Sequence, residues 1–445
     1  MGTVILSAAS AATPSLQALG AVLEDELRWV WPGEVRTFEL AALELAYCQG
    51  EFDCWVKTPG VCRAHDAEQD IVRAIHDADR VVLLDAVTFG GHGYTLKRAQ
   101  DRLICLLTPF FEKRAGLTHH GHRYDHAADL YALGWLPAPD LAQARTWHDL
   151  ADANALNMLA ARVGSAVVDD TARDDWPAAI RAMLASETRP GTSIHGRDPL
   201  RDALFVAARP TPLLDPPVPT RRVALVVGSA KIKGTSASER IARDLGDLLQ
   251  CQGVEAELHF ATEFIHDRGR ARAAARSIAD ADLFVMVTPL YVDALPALAT
   301  HALELVARER AASAPPARFV AVVNCGFPEP EQTRTAMRIA HHFATQARYH
   351  WAGGLPLGGG GVVKPDVPLD EQHGPAAHVH QALVAAATPL AGGDVVPGAA
   401  LRLMARSPLP DVAYRLIGDL GWRYQVHQHG LSQRALRARP LDVVD

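Results

Sequence analysis

Residues 222–236, RVALVVGSAKIKGTS, form the stretch that decides the fold. Five consecutive apolar residues follow the first arginine, as in a parallel strand that is buried on both faces. A glycine and small hydroxyl residues then lead into a helical pattern with apolar Ile241, Leu245, Leu248 and Leu249. A strand, a short polar loop and a helix in this order are typical of an α/β domain that binds its ligand at the carboxyl ends of the strands.

The same alternation of apolar runs and helical patterns extends through both halves of the chain. The predicted strands are Arg222–Gly228, Glu255–Phe260, Asp282–Thr288, Arg318–Cys325 and Tyr349–Gly353 in the second half, and Thr3–Ser7, Glu34–Leu40, Arg80–Asp85, Asp129–Trp135 and Ser165–Asp169 in the first. Similar stretches recur in the same order, such as IHDAD at 75–79 and IADAD at 278–282, and indicate a duplication. Five strands per half predict two flavodoxin-like, doubly wound α/β domains, each with a five-stranded parallel sheet of order 2-1-3-4-5 flanked by helices.

Prolines mark the boundary between the halves. Residues 187–220 contain seven prolines, which exclude a regular helix or a central strand through most of this stretch. The predicted organisation is a first domain at 1–186, a Pro-rich linker at 187–220 with a short helix near 201–207, a second domain at 221–395 and a C-terminal helical extension at 396–445. We expect the extension to pack on the second domain or on another subunit.

Composition narrows the class of protein. The chain has 445 residues, 49% of them hydrophobic and 21% charged, which is typical of globular proteins. A net charge of −7 provides no basic surface for nucleic acid, and the absence of an apolar run of spanning length argues against a membrane segment. The first basic residue is Arg28, so the basic flank of a secretory signal is missing and we expect a cytoplasmic protein. Six cysteines indicate no disulfide framework.

The loop after the first strand of the second half has groups that can bind a phosphate. Ser236 and Glu239 form a capping-box pattern, so the loop ends at a helix N-terminus, where backbone N–H groups and the helix dipole favour anions. Ser229, Thr235 and Ser236 offer hydroxyl groups, and Lys231 or Lys233 offers positive charge. A plain strand-to-helix turn explains the same residues equally well, because neither the Walker nor the dinucleotide glycine spacing is present.

Three more loops are predicted at the same edge of the sheet. Numbered by the strand that each one follows, they are the third loop, TPLYVDALP at 288–296, the fourth loop, VNCGFPE at 323–329, and the fifth loop, GGLPLGGGG at 353–361. An aromatic residue in a Pro-bearing apolar loop can wall a planar ring, and glycines let the backbone approach a ligand closely. Four such loops at one edge predict a flat cofactor that carries a phosphate.

These loops resemble those of the NADPH-dependent FMN reductases and their flavodoxin-like relatives, over about residues 221–365. The resemblance implies that FMN binds with its phosphate on the first loop and its isoalloxazine ring between the third and fourth loops. The residues implied for the phosphate are Ser229, Lys231, Thr235 and Ser236, and those implied beside the ring are Pro289, Leu290, Tyr291, Val292, Cys325, Gly326 and Phe327. The resemblance further implies NAD(P)H as the electron donor and a possible homodimer.

The first half resembles the iron–sulfur flavoprotein branch of the same superfamily. The matching stretches are CQGEFDCWVKTPGVC at 48–62, VTFGG at 87–91 and LKRAQDR at 96–102. That branch holds its cluster with four cysteines, whereas this chain has only Cys48, Cys54 and Cys62 and has Glu51 at the second position of the motif. Because a four-iron cluster requires four thiolates, we predict no metal. A zinc site of the three thiolates and Glu51 is the alternative.

Flavin binding in the first half stays open at this point. Its first loop, Ser7–Pro14, has neither glycine nor a basic residue, although Thr13 and Pro14 suit a helix start. Val87, Thr88, Phe89, Gly90 and Gly91 match the ring-binding loop of the superfamily. His119, His120, His122 and His126 are predicted to lie in a polar loop.

The function implied is transfer of hydride from a reduced nicotinamide through FMN to a small-molecule acceptor. The hard chemistry then belongs to the cofactor, and the protein sets orientation and polarity. Tyr291 and Phe89 are the candidates for ring contact, and backbone N–H groups of Gly90, Gly91, Gly326 or Phe327 are the candidates for stabilising charge on the ring. An electron carrier without nicotinamide turnover and a scaffold protein with one or both flavin sites degenerate are the alternatives.

Overall fold

The computed structural model describes residues 2–192, 196–213, 215–310 and 314–442. The chain divides into two compact units. The first unit comprises Met1–His195 and Arg415–Asp445, and the second comprises Gly196–Tyr414. In the described ranges, no helix is long and apolar enough to cross a membrane.

The first unit is built around a parallel sheet with helices on both faces. Its strands are β1 (Gly2–Ser7), β2 (Glu34–Glu39), β3 (Arg80–Ala86), β4 (Leu107–Arg114), β5 (Leu117–His122), β6 (Asp129–Leu136) and β7 (Val163–Asp169). Its helices up to residue 195 are α1 (Pro14–Val30), α2 (Asp53–Val56), α3 (Glu68–Asp77), α4 (Tyr94–Gln100), α5 (Leu141–Asn157) and α6 (Trp176–Leu184). The sheet order is β2-β1-β3-β6-β7, and all its pairs are parallel.

The second unit repeats this plan. Its strands are β8 (Arg222–Val227), β9 (Glu255–Phe260), β10 (Leu283–Pro289), β11 (Arg318–Asn324) and β12 (His350–Leu357). The helices from residue 196 onward are α7 (Arg197–Ala208), α8 (Ala237–Gln250), α9 (Arg268–Ala279), α10 (Ala297–Glu309), α11 (Arg334–Gln346), α12 (Ala377–Ala391), α13 (Gly398–Met404) and α14 (Asp411–Gln428). The parallel sheet has the order β9-β8-β10-β11-β12.

Both sheets therefore confirm the predicted fold and the predicted strand order 2-1-3-4-5. Successive side chains of a strand point to opposite sides of the sheet, so a strand made only of apolar residues places apolar side chains on both faces. On β1, Val4 and Leu6 join the apolar cluster on one face, whereas Ile5 joins the cluster on the other. The carboxyl ends of the strands in each unit consequently lie at one edge, where the loops named above begin.

An antiparallel hairpin, β4–β5, was not predicted. His119, His120 and His122 lie on β5 rather than in a polar loop. His119 is buried and its Nδ1 lies 2.8 Å from Asn157 Oδ1, while the ring of His120 lies 4.5 Å from that of Trp55. Burial lowers the pKa of His120 to about 3, so this imidazole is neutral and packs as an aromatic residue.

The C-terminal extension divides between the two units. Helix α13 packs on α12 and β12 of the second unit, as expected, whereas residues 415–442 belong to the first unit, which corrects the expectation for that part. Trp422 lies 5.3 Å from the ring of Phe52 and 5.2 Å from that of Trp55. Arg123 donates to the backbone oxygen of Ala438 at 2.7 Å. Buried aromatic and backbone contacts of this kind depend on pairings more than 300 residues apart, which no local pattern reveals.

Much of the predicted linker is structured. Its helix α7 begins at Arg197, earlier than the predicted 201, and packs on α11. Arg201 pairs with the fully buried Glu331 at 3.1 Å, and Trp351 Nε1 donates to Arg209 O at 2.8 Å. Residues 196–213 thus belong to the second unit, and the division into domains at 187–220 remains a proposal.

Candidate functional site

The first loop of the second unit connects β8 to α8. Gly228 closes β8 by donating its N–H to Val287 O at 2.8 Å, and a Cβ at this position would lie 2.5 Å from Thr288 Oγ1. Only glycine therefore fits there. The predicted capping contact is present, since Ser236 Oγ accepts from Glu239 N at 3.1 Å. The Glu239 carboxylate in turn accepts from Gly234 N at 2.5 Å and pairs with Arg243 at 2.7 Å.

Space and donors remain at this helix start. The N–H groups of Ala237 and Ser238 have no partner within α8, because the first turn of a helix never supplies one. Gly234 has φ +84°, and a Cβ placed on it would meet nothing within 4 Å. Since Arg243 balances the charge of Glu239, the first turn of α8 can accept an anion.

The side chains predicted for this loop divide into two groups. Ser229 and Ser236 are buried at the loop ends, whereas Thr235 is exposed and its hydroxyl donates to Ile232 O at 2.6 Å. Lys231 is half-buried and its backbone N–H donates to Ser229 Oγ at 3.3 Å. The neighbouring Lys233 lies 4.0 Å above the ring of Phe260 and pairs with Glu263 at 3.6 Å.

The third loop is a tight turn with an unfavourable backbone. Tyr291 and Ala294 exchange backbone hydrogen bonds at 3.0 and 3.2 Å. Between them, Val292 and Asp293 have φ +48° and +59°. A left-handed β-branched residue costs roughly 1–3 kcal/mol, and such strain is concentrated at functional sites. Pro289, Leu290, Tyr291 and Val292 are all half-buried, so their remaining surface is available to a ligand.

The fourth loop is held by its neighbours and exposes one glycine. Cys325 N donates to Leu357 O at 2.9 Å, and Gly359 N donates to Phe327 O at 2.6 Å. Gly326 is exposed, and a Cβ there would meet nothing within 4 Å. Burial raises the pKa of the Cys325 thiol to about 12, so this cysteine is a packing residue rather than a nucleophile.

One part of this sheet edge in the second unit could not be predicted from the sequence. Pro408 and Tyr414 lie beside the glycines that follow β12: a Cβ on Gly359 would be 2.4 Å from Pro408 Cγ and 3.2 Å from Tyr414 Cε2. Tyr414 Oη also donates to Gly326 O at 2.7 Å. These residues come from the segment after α13, about 50 residues beyond the last predicted loop. The structure thus brings together the four predicted loops and one unpredicted segment.

The first unit has the same third loop with different partners. Thr88 and Gly91 exchange backbone hydrogen bonds at 2.8 and 2.9 Å, and Phe89 and Gly90 have φ +53° and +80°. Here Gly90 N donates to the side chain of Gln143 at 3.0 Å. Val87, Phe89, Gly90 and Gly91 are buried and Thr88 is half-buried, so this loop offers little surface to a ligand.

Hydrogen bonds between its own side chains also occupy the first loop of the first unit. Ser7 Oγ donates to Glu39 Oε2 at 3.1 Å. Near the start of α1, Ser15 Oγ donates to Asp170 Oδ2 at 3.0 Å, and Asp170 also accepts from Trp135 Nε1 at 3.2 Å. A carboxylate therefore already lies at the helix start where a phosphate would bind.

The cysteines of the first unit lie in a closed environment. Burial raises the pKa of the Cys48 and Cys54 thiols above their ordinary value, and Arg102 Nη2 lies 3.4 Å from Cys62 Sγ. Glu68, which is fully buried, has its pKa raised by burial. Within the ranges that the structure describes, no three His, Cys, Asp or Glu side chains are arranged to hold a metal ion.

Comparison with solved structures finds short, distant likenesses. The chain is similar to NAD(P)H:quinone oxidoreductase from Methanothermobacter marburgensis, with 15% identity over 38% of this chain and 99% of that one and a TM-score of 0.28. It is similar to azoreductase from Bacillus anthracis str. Sterne, with 12% identity over 39% of this chain and 99% of that one and a TM-score of 0.26. TM-scores this low carry no argument about function.

The comparison with protein families gives a specific match. No curated protein matches the chain. Residues 221–354, which include the first, third and fourth loops of the second unit, match the family described as NADPH-dependent FMN reductase. The resemblance that the sequence predicted for the second half is therefore confirmed: over residues 221–354 this chain is similar to the NADPH-dependent FMN reductases.

Proposed function

We propose that the second unit binds FMN and that the protein is an NAD(P)H-dependent, FMN-reductase-like oxidoreductase acting on a small-molecule acceptor. The family match over residues 221–354 supports flavin-dependent oxidoreduction. The observation that carries the proposal is the sheet edge of this unit, where the backbone at Gly234 and at Gly326 faces open space. In the first unit the equivalent edge is filled by its own side chains.

The residues of the second unit fit the phosphate of FMN. Ser229, Thr235 and Ser236 surround the start of α8, and the N–H groups of Ala237 and Ser238 point out of its first turn. A phosphate at such a position is stabilised by these donors and by the helix dipole. Lys231 adds positive charge to the same loop.

The residues also fit a flat ring between the third and fourth loops. Tyr291 and Val292 offer partly exposed side chains on one loop, and Gly326 offers backbone without a side chain on the other. When bound there, FMN would supply the redox chemistry between a reduced nicotinamide and the acceptor. The protein's part is to orient the ring, to limit access of water and to place N–H groups of Gly326 or Phe327 beside it.

A structural role for the first unit is the second element of the proposal. Its third loop is tied to Gln143, and its first helix start is occupied by Asp170. These contacts favour a degenerate flavin site in this unit, with Val87–Gly91 serving as a packed turn. The expected content is therefore one FMN per chain.

The test is flavin binding by the full chain and by two variants at Thr235. Thr235→Glu places a negative charge at the loop but removes no buried contact, since Thr235 is exposed. We expect FMN affinity to fall at least tenfold, because a carboxylate repels the phosphate at close range. Thr235→Gln, which has the same length without the charge, is the matched control and should retain FMN.

Turnover separates an enzyme from a carrier. The purified chain with bound FMN should oxidise NADPH or NADH by itself when a quinone, an azo dye or free flavin is added as acceptor. A chain that binds FMN but requires a separate reductase for bleaching is a carrier, and a chain that binds no FMN would refute the proposal.

A further inference from the structure

Tyr414 forms part of the edge in the second unit although it lies 60 residues beyond the family match. It stands in the first turn of α14 and is half-buried. Its hydroxyl donates to Gly326 O at 2.7 Å and lies 3.8 Å from the position of a Cβ on Gly361. One side chain thus contacts the fourth loop and the glycines after β12.

The hydroxyl is fixed as a hydrogen-bond donor. Burial raises the pKa of Tyr414 above its ordinary value, and the neighbouring Cys325 and Glu329 act in the same direction. The phenol is therefore protonated at any physiological pH. Its acceptor, Gly326 O, belongs to an exposed glycine, whose backbone would otherwise have wide conformational freedom.

Backbone hydrogen bonds hold the residues on either side of Gly326, and Tyr414 bonds to the carbonyl of Gly326 itself. Cys325 is tied through its backbone N–H to Leu357, and Phe327 O accepts from Gly359 N at 2.6 Å. Gly326 lies between these anchors. A hydrogen bond to its carbonyl fixes the orientation of the peptide that joins Gly326 to Phe327 and, with it, the direction of the neighbouring N–H groups.

We propose that Tyr414 is a positioning residue of the flavin site, which holds the Gly326 backbone so that the N–H groups of the fourth loop face the ring. The inference rests on the proposed function and adds to it a residue outside the segment that matches the family. Because N–H donors stabilise negative charge, a correctly held loop favours the reduced, more negative ring over the oxidised one. Loosening the loop therefore weakens binding of reduced FMN more than binding of oxidised FMN.

The variant that tests this is Tyr414→Phe, which removes the hydroxyl and keeps the ring. The matched control is Tyr424→Phe on the same helix, because Tyr424 is 63% exposed and its hydroxyl only accepts from Gln428 Nε2. We expect Tyr414→Phe to weaken binding of oxidised FMN about two- to tenfold, as for the loss of one hydrogen bond. Its midpoint potential should be lower than that of the unaltered chain, and Tyr424→Phe should change neither quantity.

A second measurement works on the chain without flavin. In hydrogen exchange followed by mass spectrometry, peptides covering 325–332 should exchange faster in Tyr414→Phe than in the unaltered chain and in Tyr424→Phe. If exchange, affinity and potential are all unchanged, the inference is overturned. An equal loss of affinity for oxidised and reduced FMN, with an unchanged potential, overturns it as well. If the unaltered chain binds no FMN, the proposed function fails, and the exchange experiment still decides whether Tyr414 holds the loop.

Discussion

The two units have the same topology and the same strained third-loop turn, but their sheet edges differ in what completes them. Thr88 and Gly91 in the first unit correspond to Tyr291 and Ala294 in the second, and both turns contain two left-handed residues. In the first unit the side chain of Gln143 accepts from this turn. In the second unit the adjoining loop presents the open backbone of Gly326 instead.

Under the proposed function, a few side chains decide which of the two edges accepts a ligand. The backbone of a doubly wound sheet always gathers loops at the carboxyl ends of its strands. Asp170, Glu39 and Gln143 make side-chain contacts at that edge in the first unit, whereas Gly234 and Gly326 leave open backbone at the edge of the second. The two units therefore share their strand order, while the proposed cofactor site lies in the second unit only.

The largest effect on the free energy of unfolding is expected at a buried ion pair in the first unit. Lys97 and Asp101 are almost completely buried and lie 2.7 Å apart, whereas the second unit has Thr300 at the position of Lys97. Lys97→Met removes the ammonium group that pairs with the buried Asp101 carboxylate and should lower the free energy of unfolding by about 3–5 kcal/mol.

Tryptophan fluorescence during urea unfolding measures this effect, because seven of the eight tryptophans lie in the first unit: Trp29, Trp31, Trp55, Trp135, Trp147, Trp176 and Trp422. Thr300→Val is the control in the second unit and should change the fluorescence transition little. The double variant Lys97→Met with Asp101→Leu should recover most of the loss. No recovery would mean that the two charges act independently.

The next effect is a dependence of stability on pH. Burial lowers the pKa of His92 from 6.5 to about 3, and its Nε2 lies 3.2 Å from Asn154 Oδ1. Between about pH 6.5 and 3 the unfolded state binds a proton on His92 that the folded state does not. The free energy of unfolding is therefore highest above pH 6.5 as far as His92 is concerned, and it falls as the pH falls below 6.5. The loss is about 1.4 kcal/mol per pH unit.

His92→Gln keeps an amide beside Asn154 and removes the titration. The slope of unfolding free energy against pH, measured by tryptophan fluorescence between pH 6 and pH 4, should be smaller in this variant by about 1.4 kcal/mol per pH unit. The difference isolates His92, because Glu68, whose raised pKa acts in the opposite direction, is present in both chains. Equal slopes would show that His92 is protonated in the folded state.

Gln143 provides the most direct way to break the comparison. Gln143→Leu removes the acceptor of Gly90 N and should lower the stability of the first unit by roughly 1–3 kcal/mol, the cost of an unsatisfied buried donor. Flavin content should remain one FMN per chain, because Asp170 still occupies the start of α1. A second FMN in this variant would contradict the proposal and show that Gln143 alone closes the first site.

The smallest effect is expected at the strained turn of the second unit. Val292→Gly relieves a left-handed valine and should raise the stability of that unit by about 1 kcal/mol. Hydrogen exchange of β10 and β11 in increasing urea measures the change. Val292→Ala keeps a side chain on the unfavourable left-handed backbone and is the control. A stabilisation of equal size in the alanine variant would mean that the side chain, and not the backbone, is strained.

The apolar runs of β1, β3, β8, β10 and β11 made the fold predictable, because strands buried on both faces have no other pattern. The four loops of the second unit were predictable for the same reason, since each follows such a run. The contacts of Gln143 with Gly90 and of Tyr414 with Gly326 were not, because they join residues 53 and 88 positions apart. The hairpin β4–β5 was missed because His120, a residue of polar identity, packs there as a neutral ring.

The return of the tail to the first unit has a consequence for the order of folding. Trp422 packs against Phe52 and Trp55, and Leu436 and Val426 are fully buried. A ribosome adds these residues only after the whole second unit has been synthesised. The nascent first unit must therefore wait with part of its aromatic core uncovered. A chain cut after residue 195 would keep that surface exposed, whereas adding the peptide 415–445 in trans should restore its native packing.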